Sequence, residues 1–303
     1  VTATSSAYGG AGIGGGANIN GSGSSAGGTV KITGGVVTAT GSGNGTGGGA
    51  GIGGGYQGNG GTVEISGGTV IATGGTGPMS GADIGSGSFT GNSGTLKITG
   101  GSVLANKTML EYYSATPRAA DGTLLSLVTL TVMDASALAN TALADTGYIT
   151  KVSGGYAYGT KDLKADTSGK VYFWLPVDTY GITLKAGGTR YANNAIAVKA
   201  DNTGSAELTV APPDNTTPTL TTGSVDRTSG TAATVKFTSN EGGRYYYAVV
   251  DDNAGDPNIN TSGAGTFCGV TEVTLSLTLT AGAKDVWIYV KDAADNIGKL
   301  KID

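Results

Sequence analysis

GGTVKITGGVVTAT (Gly27–Thr40), GGTVEISGGTVIAT (Gly60–Thr73) and SGTLKITGGSVLAN (Ser93–Asn106) are one motif written three times. Val30, Val63 and Leu96 recur at 63 − 30 = 33 and 96 − 63 = 33 residues. A fixed period of this size marks stacked repeats, each a coil that cannot bury its own apolar face. Within each repeat Val30/Ile32, Val63/Ile65 and Leu96/Ile98 alternate with polar residues, the pattern of a half-buried strand. A second segment aligns Val37, Val70 and Val103, then Ala39, Ala72 and Ala105. A third supplies Ile13, Ile52 and Ile84, set in AGIGGG, AGIGGG and ADIGSG. Three strand segments per coil predict a roughly triangular parallel β-solenoid over residues 1–106, with glycine at the corners, where tight turns and positive φ are needed. Val1-Thr2-Ala3-Thr4 fits the same columns, so the chain is expected to open in mid-coil, as an internal piece with further coils upstream. A disordered tract would not keep apolar columns over three repeats.

Stacked rungs lie about 4.8 Å apart, so equivalent residues form ladders. Lys31, Glu64 and Lys97 make one such column on the outer face, with alternating charge. Exposed pairs contribute at most about 1 kcal/mol each. The ladder serves register more than stability.

The 303 residues give room for two or three domains. Lys+Arg 18 against Asp+Glu 22 leaves a net charge of −4, and no basic cluster stands out, which argues against nucleic acid as a partner. There is no histidine, so the commonest general base and transition-metal ligand is missing. The single Cys268 excludes an internal disulfide framework, and beside Phe267 and Val270 it reads as a small buried residue. No run approaches the roughly 18 apolar residues of a membrane-spanning helix. The sparse charge and the Thr, Gly, Ser and Asn content suit a secreted, cell-surface or cell-wall-associated protein.

After Asn106 glycine thins out. Leu124–Val132, Tyr156–Tyr158, Val171–Leu175, Tyr180–Leu184, Ile196–Val198 and Ala206–Val210 read as strands of a β-sandwich over 107–211. Ala211–Pro218, with three prolines, reads as a stiff linker. Ala233–Thr238, Arg244–Val250, Glu272–Leu279, Asp285–Val290 and Lys299–Ile302 then predict an Ig-like sandwich over 212–303. The predicted fold is thus all-β: a parallel β-solenoid (β-helix) followed by two β-sandwich domains.

Three stretches carry resemblances. Asp166-Thr167-Ser168-Gly169-Lys170 followed by Val171–Leu175 and Pro176 resembles the prealbumin-like repeats of Gram-positive surface proteins. Val177-Asp178 replaces the usual small residue and glycine of their second turn. Some relatives carry an internal Lys–Asn isopeptide bond; Leu124–Val132 has no lysine, so that bond is not carried over. Thr217–Leu220, Ala233–Ser239, Gly243–Tyr247 and Val290–Asn296 resemble tandem Ig-like modules of the same class of protein, without the paired cysteines of antibody domains. The glycine-rich repeats are similar to surface β-solenoids of adhesin-like or carbohydrate-binding type. Together these resemblances imply a Gram-positive cell-surface adhesin-like protein.

Four chemistries compete with plainer readings of the same residues. Polysaccharide cleavage needs paired carboxylates on one face. The repeats hold only Glu64 and Asp83, on different faces, so no catalytic or cofactor-binding residue is assigned and the protein is read as no enzyme. Calcium is the one cofactor left open, at Asp251, Asp252, Asn253, Asp256 and Asn258 or at Asp292, Asp295 and Asn296. These are also ordinary turn residues, so no metal ligand is assigned. Ice binding would need paired threonine columns, but Thr2, Thr38, Ile71, Leu104 turns apolar, while Thr4, Thr40 and Thr73 end in Asn106. Sugar binding would use exposed rings, for which Tyr8, Tyr56 and one of Tyr245-Tyr246-Tyr247 qualify, whereas Trp174 and Trp287 read as core. The expected function is non-catalytic recognition of a glycan or host surface. A structural stalk or surface-layer role stands second, and a polysaccharide-active enzyme third.

Overall fold

The computed structural model describes residues 1–6, 8–17, 25–43, 45–88, 92–105, 114–132, 143, 148–152, 156, 158–186, 188–211, 214–263 and 265–303. Asn106, Ala157, Pro212 and Pro213 lie outside them, and with them the end of the third repeat and the centre of the linker. Every element among the described residues is a strand. The chain divides into two compact units, one of residues 1–145, 158–178 and 196–209, the other of 146–157, 179–195 and 210–303.

The first unit holds β1 (Thr2–Thr4), β2 (Ile13–Gly14), β3 (Thr29–Thr40), β4 (Ile52–Gly53), β5 (Thr62–Thr73), β6 (Ile84–Gly85), β7 (Thr95–Leu104) and β8 (Pro117–Arg118). One sheet runs β1-β3-β5-β7-β8, with all these pairs parallel. A second, β2-β4-β6, is also parallel. The columns expected from the repeat are in register. Val30 faces Val63, which faces Leu96; Ile32, Ile65 and Ile98 align, as do Ile13, Ile52 and Ile84. These side chains fill the interior, with Ile52 and Ile98 fully buried.

Two glycine columns explain why the motif is spelled as it is. Gly14, Gly53 and Gly85 take φ of 129°, 132° and 147°, which L side chains avoid. A Cβ at Gly53 would also lie 1.9 Å from the carbonyl oxygen of Gly85 on the next rung. At the Gly-Gly corners the register shifts by a residue, and the strands bend there. The amides freed at that bend are met by residues 159–162, which run along it like a strap. Gly35 N–H donates to Asp162 Oδ2 (2.7 Å), Gly68 N–H to Lys161 O (2.7 Å) and Gly101 N–H to Gly159 O (2.8 Å).

Beyond the repeats, β9 (Ser126–Val132) pairs antiparallel with β11 (Lys170–Leu175) and parallel with β14 (Gly204–Val210). Strict alternation along β9 puts Val128, Leu130 and Val132 inside, against Val171, Phe173 and Leu175. The turn before β11 is tied by Asp166, which accepts the N–H groups of Ser168 and Lys170 and the Tyr172 hydroxyl (2.6 Å). Trp174 is core as expected: it is buried, and its Nε1 donates to Val103 O at 3.0 Å.

In the second unit β10 (Tyr148–Lys151) pairs antiparallel with β12 (Thr179–Ala186), beside β13 (Thr189–Ala197). Residues 220–302 form an antiparallel sandwich. One sheet is β15 (Leu220–Ser229), β16 (Ala232–Ser239) and β19 (Val273–Thr278). The other is β18 (Thr266–Cys268), β17 (Gly243–Asp251), β20 (Lys284–Lys291) and β21 (Ile297–Ile302). Val235, Phe237, Leu275, Val286, Ile288 and Cys268 pack between them.

The predicted fold is met in its coarser part: the protein is all-β. A β-solenoid as such is not shown: pairing is parallel in the sheets of residues 2–118, and the sheets that follow are mixed or antiparallel. Trp287 is not core. It is half-buried on the sheet face away from Val286 and Ile288, and its Nε1 is sealed from solvent without an acceptor.

Candidate functional site

The outer face of β3, β5, β7 and β8 lines up side chains on successive rungs. Lys31 Nζ lies 3.1 Å from Glu64 Oε2, Glu64 faces Lys97 and Lys97 faces Arg118. Beside them Thr29, Thr62 and Thr95 share a column, and the Thr95 hydroxyl donates to Thr62 Oγ1 at 3.2 Å. A surface groove of about 410 Å³ opens here, lined by Thr62, Glu64, Thr95, Lys97, Thr116 and Arg118. Arg118 was missed in the sequence because it follows the last repeat and has no column to mark it. Its guanidinium is braced by Gly122 O at 2.8 Å.

The stack's two acids do not converge. Glu64 sits in the ladder, whereas Asp83 is buried and accepts the Gly74 N–H at 2.8 Å. The proposed aromatic contacts divide as well. Tyr8 is 65% exposed at φ 58°, while Tyr56 is half-buried. Of the tyrosine run, Tyr245 packs edge-on against Phe237, the Tyr246 hydroxyl donates to Gly263 O, and Tyr247 is the exposed ring.

The two acidic loops have different fates. In the first, Asp251 pairs with Lys284, and Asp256 is held by Lys299 (2.7 Å) and by the Tyr289 hydroxyl. Lys299, Tyr289 and the Asn258 N–H together lower the Asp256 carboxyl to a pKa of about 2. In the second, Asp295 turns to Lys185 (2.6 Å) and Lys291 (3.1 Å). Asp292 instead meets Asp214 and Glu241, and one oxygen from each lies within 4.8 Å of the others. Asp292 is 3% exposed. It is fixed by the N–H groups of Ala294 (2.7 Å) and Asn296 (2.9 Å), and Asn296 Nδ2 bridges Asp292 Oδ2 and Asp214 O, both at 2.9 Å. Asp214 accepts the Thr216 N–H and lies 3.2 Å from Arg190. Glu241 Oε1 is sealed from solvent and accepts no hydrogen bond. Burial, and then the charges of Asp292 and Asp214, push its pKa up. This is the one cluster of metal-ligating side chains among the described residues. Spacing pointed to Asp292 and Asn296; nothing local in the sequence joins them to residues 214 and 241.

The class defined by these elements is an all-β protein in which parallel-paired repeats are followed by an antiparallel sandwich. No protein-family model and no curated protein matches the chain. Among solved structures it is similar to a DUF3823 family protein from Parabacteroides merdae, at 14% identity and a TM-score of 0.21 over 60% of this chain and all of that one. A DUF3823 family protein from Bacteroides ovatus matches at 13% identity and a TM-score of 0.21, over 58% of this chain and 97% of that one. The expectation of a Gram-positive adhesin-like protein is withdrawn: no family model or curated protein carries it, and beyond the repeats the sheets are mixed or antiparallel and do not continue a solenoid.

Proposed function

We propose that the chain is a non-catalytic extracellular recognition module, whose parallel-paired repeats offer the outer face of β3, β5, β7 and β8 to an extended polar ligand such as a glycan. The observation that carries this reading is the register of that face. Threonine hydroxyls and charged groups repeat from rung to rung beside the groove at Lys97 and Arg118. A polymer with its own repeat meets such a surface at several points at once, and weak contacts then add through effective concentration. The separation of Glu64 from Asp83 supports a role without catalysis.

A glycan array probed with the full chain tests the proposal. Binding that drops at least tenfold in Thr62→Ala/Thr95→Ala, with the far-UV spectrum unchanged, supports it. No binding to any glycan by a folded chain favours a structural stalk, for which the strap across the Gly-Gly corners is the supporting feature.

A further inference from the structure

The charge ladder on the outer face of the repeats is not balanced at its far end. Lys31, Glu64, Lys97 and Arg118 follow one another from rung to rung, and Lys97 lies directly opposite Arg118 between β7 and β8. Like charges opposed across a strand pair are destabilising. Glu64 faces both lysines in register, yet its carboxylate lies against Lys31 at 3.1 Å. Among the described residues neither Lys97 nor Arg118 meets a carboxylate. Asp121, the next acid along the chain, accepts the Thr123 N–H at 2.9 Å in the turn after β8.

Arg118 is held in place, since its Nη1 donates to Gly122 O at 2.8 Å. That leaves the N–H groups of Nε and Nη2, the parallel donor pair that takes two oxygens of one carboxylate or sulfate. Lys97 supplies a point charge one rung away, about 4.8 Å along the stack. Both line the groove, and Thr62, Thr95 and Thr116 line it with them. Hydroxyls both donate and accept, so they match the uncharged hydroxyls of a sugar. The net charge of −4 and the partly exposed Glu64 beside the pair oppose a dense polyanion such as nucleic acid. The surface is complementary to a chain that carries sparse acidic groups among many hydroxyls.

We propose that this groove takes an acidic glycan, an assignment that rests on the recognition role given above: Arg118 and Lys97 hold a carboxylate or sulfate group, and the threonine column meets neighbouring sugar hydroxyls.

The full chain is applied to an array of matched pairs, in which each glycan is printed with and without its acidic group: uronates beside their carboxyl-reduced forms, sulfated chains beside desulfated ones. Binding is expected to the acidic members only, and to weaken about tenfold or more between about 0.05 M and about 0.5 M sodium chloride. The kind of pair that responds tells carboxylate from sulfate. Arg118→Gln and Lys97→Gln, both at exposed positions, should each lose about tenfold in acidic binding with the far-UV spectrum unchanged. Glu64→Gln removes the carboxylate that lines the groove and should bind acidic glycans more tightly, a gain that misfolding does not produce. Absence of that gain overturns the assignment, and so does acidic binding that survives Arg118→Gln/Lys97→Gln. Equal binding to both members of the pairs, lost in Thr62→Ala/Thr95→Ala but kept in Arg118→Gln, overturns it while the recognition role stands. No binding to any glycan overturns both.

Discussion

Ala39, Val63, Val70, Ala72 and Val103 are among the buried residues of the repeats, beside a column of isoleucines, whereas the sandwich closes around Phe237, Leu275, Leu277, Ile288 and a flanking Tyr245. The two regions solve the same problem with different parts. In the repeats, backbone meets backbone at every rung, and glycine at φ 132° lets Gly53 lie against the Gly85 carbonyl. Stability there comes from ladders and from keeping side chains out of the corners. In the sandwich two sheets stand about 10 Å apart, and large side chains fill the gap. A methyl group added at a corner is therefore the damaging change in the repeats. A side chain removed is the damaging change in the sandwich.

The sharpest test of that contrast is Gly53→Ala. Its Cβ would sit 1.9 Å from Gly85 O at a φ closed to alanine, so the rungs have to separate. Urea unfolding should show a loss of more than about 4 kcal/mol, in the range reserved for severe defects. Gly16→Ala is the control, since a Cβ there meets nothing within 4 Å, and it should be nearly silent. Equal effects at the two positions would break the comparison. Next in size is Phe237→Ala in the sandwich. The ring is fully buried and stands edge-on to Tyr245 at 5.5 Å, so its loss should cost about 3–5 kcal/mol by the same measurement.

What could be read in the sequence follows the same division. The repeat made the columns, the charge ladder and the glycine corners legible, because register there is written as a period. Most sandwich strands were legible from alternation, β16 and β20 within a residue at each end. β15 gave no signal, since it is exposed along nearly its whole length and carries no apolar face. Trp287 was misplaced because the run Val286–Val290 is apolar on both faces, and period 2 cannot say which side is in. The strap at Asp162 and the meeting of Asp214 with Glu241 and Asp292 depend on contacts between distant segments. Side-chain type alone does not announce such contacts.

A third prediction concerns charge in the sandwich. Asp256 has a folded pKa lowered from 3.8 to about 2, by Lys299, Tyr289 and the Asn258 N–H. A depressed carboxyl contributes stability above its unfolded pKa and loses it as pH falls through its folded one. The melting midpoint of the parent should therefore exceed that of Asp256→Asn by a constant margin above about pH 5, a margin that shrinks as pH approaches about 2. A margin that stays constant down to the acid limit would show that Asp256 acts through packing.

The smallest effect belongs to the ladder of the repeats. Lys31 and Glu64 are 3.1 Å apart but 66% and 39% exposed, so water and salt screen them. Glu64→Gln should cost no more than about 1 kcal/mol. Glu64→Lys is more informative, because it places three like charges on consecutive rungs, at Lys31, position 64 and Lys97. Cross-strand like charges destabilise by some tenths of a kcal/mol to about 1 kcal/mol, and the penalty should fade between about 0.1 M and about 1 M salt. If Glu64→Lys matches Glu64→Gln at low salt, the column has no energetic role, and the register rests on the glycine corners and apolar columns alone. If its penalty is present and salt-dependent, charge adds a weak check on a register that backbone contact already sets.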